Sequence, residues 1–132
     1  MNASLRCACR LLAATSLAAA GHAARAGAYE DCVTAGDHSA VMQCLGSAEK
    51  QANAELAGVE ATLAQKALAV ERATGKPGIH AALARSVKDF ATYRASQCAY
   101  VREMAVREPV AEQAGLACRV DLTRRRARDL RP

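Results

Sequence analysis

Apolar residues recur along this chain in steps of three and four. Leu45, Ala48, Ala52, Leu56, Val59, Leu63, Ala67 and Val70 form one continuous stripe, the spacing of an amphipathic helix. The pattern predicts a long helix from about Ser39 to Thr74. Gly58 lies inside it and reads as a point of close helix packing or of mild weakness. The run Thr74-Gly75-Lys76-Pro77-Gly78 stops it, because Gly75 suits a left-handed cap and Pro77 cannot continue a helix. A second stripe, Leu83, Val87, Phe90, Arg94, Cys98 and Val101, predicts a helix from about Ile79 that ends before Pro109. Pro109 can open a third helix at its first turn. That helix carries Ala117, Cys118, Leu122 and Leu130, with Gly115 as a candidate break. Residues 27–38 read as irregular and polar. No stretch alternates with period two. The expected fold is all-α, a small antiparallel three-helix arrangement.

The first 26 residues have a different character. Arg6 and Arg10 precede ten uncharged apolar residues, Leu11 to Ala20, and Ala24-Arg25-Ala26 follows. That order reads as a secretory signal peptide, residues 1–26, leaving one domain of residues 27–132 in the periplasm or secreted. Ala20 and Ala24 offer further cleavage points. The apolar run is shorter than the roughly 20 residues that span a bilayer, and no integral membrane segment is expected. Cys7 and Cys9 leave with the leader.

Composition sharpens this picture. Alanine fills 33 of the 132 positions, there is no Trp, one Phe and three Tyr. Ala buries little area, so the core is thin, and the paucity of aromatic and β-branched residues argues against a β-sandwich. Removal of the leader leaves 15 basic and 13 acidic side chains, a formal charge of +2. That balance does not support a nucleic-acid binder.

Cys32, Cys44, Cys98 and Cys118 remain after processing. An even count in a small exported chain reads as two disulfides. Of the three pairings, the local ones, Cys32–Cys44 and Cys98–Cys118, are favoured. The second fits a hairpin turning near Pro109, which would bring the two halves together. A zinc site would want tight C-x(2–4)-C pairs, which are absent here, and no metal is expected. His38 and His80 stand in no ligand spacing. No nucleophile elbow, P-loop or dinucleotide fingerprint occurs, so neither an enzyme nor a cofactor is expected.

The segment Phe90-Ala91-Thr92-Tyr93-Arg94-Ala95-Ser96-Gln97-Cys98 resembles the W-x-x-[FY]-R-x-x-x-C signature of the LprI-like lysozyme-inhibitor family, with Phe90 in place of its Trp. Cys118-x4-Thr123-x2-Arg126-x3-Leu130 resembles that family's closing C-x4-T-x2-R-x3-L. The resemblance covers roughly residues 32–130 and implies a small exported helical bacterial protein, with lysozyme or another envelope protein as its partner. The family takes its name from a member that inhibits lysozyme.

Most of these motif residues read as structural. Phe90 is expected in the core. Arg94 is expected to pair with a carboxylate across the helix seam or to cap a helix end, its stem packed on Tyr93. Thr123 and Arg126 should hydrogen-bond locally or to the Ile79 helix, and Leu130 closes the motif. Arg119, Arg124, Arg125, Arg126, Arg128 and Arg131 read as a solvated face near a helix C-terminus, the rival being an anionic-surface binder. For a lysozyme, the best acidic contacts are Glu103, Glu108 and Glu112 around the turn near Pro109. The alternative function is a structural or interaction protein of the envelope without lysozyme activity, and an alanine-rich face leaves self-association open.

Overall fold

A computed structural model describes residues 27–131. The expected leader, with Cys7 and Cys9, lies outside the described residues. Among the described residues there are four α-helices, α1 (Ala28–Cys32), α2 (His38–Thr74), α3 (Ile79–Met104) and α4 (Val110–Asp129), with a 3₁₀ turn, Val33–Ala35, after α1. No strand occurs among the described residues.

Local chemistry sets the long helices. The Asp37 carboxylate accepts the Ala40 N–H at 3.0 Å, a side-chain N-cap that fills one orphan donor of α2. Gly75 ends α2 at φ 67°, where a side chain would be strained. The α3 N-terminus begins behind Gly78, which has no side chain to cap it. Its cap comes from α2 instead: Glu71 Oε1 accepts the His80 N–H at 2.9 Å. This bond holds the Glu71 carboxyl below the ordinary range; Ile79 and Gly78 N–H groups and His80 charge assist, while desolvation opposes.

The count of three helices needs correction. Residues 28–32 form a helix rather than an irregular arm. Ala28 and Cys32 are buried in the core. Asp121 of α4 accepts the Ala28 N–H at 2.9 Å, and Cys32 is bonded to Cys44. The forces that order α1 therefore come from distant parts of the chain, and no local periodicity reports them. The last helix begins at Val110, one residue after Pro109, and α3 stops at Met104.

The core is small. Ala28, Cys32, Val41, Leu45, Ala52, Leu116, Ala117 and Val120 form its buried cluster, where α1, the first half of α2 and the middle of α4 meet. In α3 only Cys98 is buried. The most buried helix is α4, and its inner face includes Gln113, Gly115 and Thr123 besides apolar residues. That face differs in phase from the stripe Ala117, Cys118, Leu122 and Leu130, because small and polar residues occupy its contacts. Gly115 does not break α4. It marks a close approach, where an added methyl carbon would stand 3.2 Å from Arg102 Cβ. Gly58 has open space around it, so it reflects weakness rather than close packing.

Two disulfides staple this core. Cys32–Cys44 and Cys98–Cys118 have Cα–Cα separations of 5.7 and 5.5 Å, within the usual range. The cross-helix partners also define register. Between α2 and α4, numbers rise together: His38 meets Gln113, Glu49 meets Arg119, Glu55 meets Arg131. Between α3 and α4 they run oppositely: Ser86 meets Arg126, Arg94 meets Thr123, Cys98 meets Cys118.

Candidate functional site

The two motif segments meet across the seam of α3 and α4. The Arg94 Nη1 donates to Thr123 Oγ1 at 2.7 Å and to Asn53 Oδ1 of α2 at 2.9 Å. One guanidinium thereby ties three helices. Thr123, fully buried, donates its hydroxyl to the Arg119 carbonyl at 2.7 Å. Arg126 Nη2 donates to Ser86 Oγ at 2.6 Å. The Phe90 ring lies close to both cations, 5.7 Å from the Arg94 guanidinium carbon and 5.4 Å from that of Arg126, within cation–π range.

Two expectations are corrected here. Arg94 pairs with an amide and a hydroxyl, not with a carboxylate, and its cation approaches Phe90, while Tyr93 faces solvent. Phe90 is half-buried and outside the core cluster. It serves the guanidinium groups on the seam. Leu130 lines a shallow apolar groove of about 290 Å³ with Gly58, Val59, Thr62 and Leu63 of α2. Asn53, Ser86 and Asp121 are the partners that sequence reasoning missed. A neutral amide or hydroxyl on a helix surface carries no pattern that singles it out, and the Asp121 carboxylate reads as one more charged position among the arginines of α4.

The basic tail is largely engaged. Arg119 meets Glu49 at 2.6 Å, Arg124 meets Asp31 at 3.1 Å and Arg131 meets Glu55 at 2.5 Å. Arg125 and Arg128 lie in a cleft of about 540 Å³ that also carries Asp31, Glu55 and Asp121. Cations and carboxylates nearly balance there, so the tail is less a free basic face than a set of cross-helix pairs. His38 Nδ1 lies 3.0 Å from the Gln113 amide nitrogen. No group of three metal-ligating side chains occurs among the described residues.

The three glutamates occupy the opposite end of α4. Glu103 lies in the last turn of α3, Glu108 in the connecting turn and Glu112 in the first turn of α4, and all three are exposed. Arg102 approaches Glu108 at 3.7 Å, a solvent-screened pair of little energetic weight. The same end presents apolar side chains to solvent: Tyr100, Met104, Val106 and Val110. Their signal was available, since they fall outside the inward stripe. The arrangement thus has a hydrogen-bonded seam and, at the other end of α4, an acidic edge with uncovered apolar groups.

Among known families, the chain matches the model described as Lysozyme inhibitor LprI over residues 30–130. No curated protein and no solved structure compared with it gives a match.

Proposed function

The chain belongs to the LprI lysozyme-inhibitor family, and from that premise we propose that it is an exported, non-enzymatic protein that binds and inhibits a lysozyme. The carrying observation is the family match across residues 30–130. In this reading the leader is removed after Ala26, and residues 27–132 act as one domain in the periplasm or outside the cell. Two disulfides suit an oxidising compartment. In this reading α2, α3 and α4 alternate in direction along the chain, so that α3 opposes α4 while α2 runs parallel to it.

Arg94, Thr123 and Arg126 hold the seam and act on function only through the shape of the fold. Contact with lysozyme falls to the α3–α4 end, where Glu103, Glu108 and Glu112 provide acidic groups for a basic partner. Calorimetric titration tests this. The exported, oxidised protein is titrated into lysozymes of different classes, and its N-terminus is read by mass spectrometry. Saturable 1:1 binding to at least one class, weakened by E103K/E108K/E112K, is the expected result. Absence of binding to every class refutes the inhibitor reading, and binding unchanged by the triple reversal refutes the role of the glutamates.

A further inference from the structure

With only four aromatic residues in the chain, two are spent on the outside of one helix. Tyr93 is 51% exposed, Tyr100 59% and Met104 62%. They stand at spacings of seven and four on α3. At about 100° per residue, the three fall within roughly 40° of one another. Cys98 and Arg102, which face α4, lie about 140° and about 180° from its centre on the same helix wheel. The stripe is therefore the outer face of α3, about 16 Å long at 1.5 Å per residue. At its foot stands Val106, 95% exposed in the connecting turn.

None of these side chains is needed by the core cluster. Solvent-facing Tyr and Met gain little from folding but are good anchors of an interface: tyrosine brings large area at little entropic cost, and methionine adapts its shape to an irregular partner surface. Nearby charges narrow the partner. At the foot of the stripe stand Glu103, Glu108 and Glu112 against Arg102 and Arg107, with Arg102 drawn to Glu108. The excess is one negative charge, which favours a basic protein over an anionic wall polymer as the partner.

We infer that the outer face of α3, Tyr93, Tyr100 and Met104 with Val106 at its end, is the surface that docks into a basic muramidase. This rests on the inhibitor reading above and assigns it a face. The tyrosines and Met104 enter the partner's groove, and the glutamates border the contact.

The test uses the full chain, exported and purified with its disulfides formed. Inhibition of basic muramidases on cell walls is titrated for the wild type, for Y93S/Y100S/M104S, for Y100S alone, and for a control set on an exposed α2 face, A54S/A57S/A61S. Because the stripe is exposed, circular dichroism and melting should be unchanged. The triple variant should lose at least about tenfold in inhibitory affinity, and Y100S a smaller part of it, as for interface anchors, while the control retains full affinity. Equal inhibition by the folded triple variant, or by folded Y100S if the triple does not fold, overturns the docking face and leaves the inhibitor reading intact. No inhibition by the wild type overturns both. Stripe-dependent binding to insoluble peptidoglycan without muramidase, or stripe-dependent dimerisation in place of muramidase binding, also overturns the proposal.

Discussion

Replacing Thr123 by Val tests how the seam works. Valine keeps the shape of threonine and removes only the hydroxyl. That hydroxyl accepts from Arg94 at 2.7 Å and donates to the Arg119 carbonyl at 2.7 Å. Thr123 is fully buried, so no water replaces it on its own side. A hydrogen bond to a charged group contributes about 1.5–3 kcal/mol, a neutral one about 0.5–1.5 kcal/mol. Two effects reduce the loss: Arg94 keeps its bond to Asn53, and the Arg119 carbonyl already lies within a helix. A net cost of about 2 kcal/mol is expected, equivalent to about 8 °C in melting temperature for a domain of this size. The assay is urea denaturation of the oxidised protein, in a double-mutant cycle with Arg94→Met, which keeps most of the apolar stem. The coupling energy should be about 1–2 kcal/mol. A cost below about 0.5 kcal/mol, with no measurable coupling, would refute the claim that this pair joins α3 to α4.

Other substitutions probe separate parts of the account. Removing the Cys98–Cys118 bridge, which closes a loop of 20 residues, should lower stability by about 3 kcal/mol in the same assay. Gly58→Ala should raise stability by up to about 1 kcal/mol, from helix propensity in open space. At Gly115 the same change should bring no gain, because the new methyl would crowd Arg102 Cβ at 3.2 Å. Glu71→Gln should weaken the α2–α3 turn in a pH-dependent way. The folded carboxyl titrates below its ordinary value, so its contribution is present above the unfolded pKa of about 4.3 and disappears as pH falls through the folded one. Melting curves of wild type and E71Q should differ near neutrality and converge in acid.

The long helices were legible because their signals are local. Leu45, Ala52 and Leu56 keep the 3.6 period, and Gly75 ends α2 where its composition indicates. The disulfide pairing was legible from the even cysteine count and the local spacing. The short helix α1 was not, since its order depends on Asp121, 93 residues away. The inner face of α4 was out of phase because Gln113, Gly115 and Thr123 are buried there and do not read as core residues. The seam shows the same limit. Phe90, Arg94, Thr123 and Arg126 could be named in advance, but Asn53 and Ser86 could not. A carboxylate was expected where an amide and a hydroxyl stand. The tyrosine stripe was readable in principle, as Tyr93, Tyr100 and Met104 share a phase opposite to Cys98.

In the proposed function, a disulfide-held helical fold blocks a lysozyme. Its most direct test is lysis of cell walls by lysozymes of different classes, titrated with the oxidised protein and, in parallel, with a reduced and alkylated sample. The expected result is stoichiometric inhibition of at least one class by the oxidised protein and none by the reduced one, because a core built of Ala28, Ala52, Ala117 and a few larger residues depends on its two bridges. Undiminished lysis by every class at high excess of the oxidised protein would contradict it.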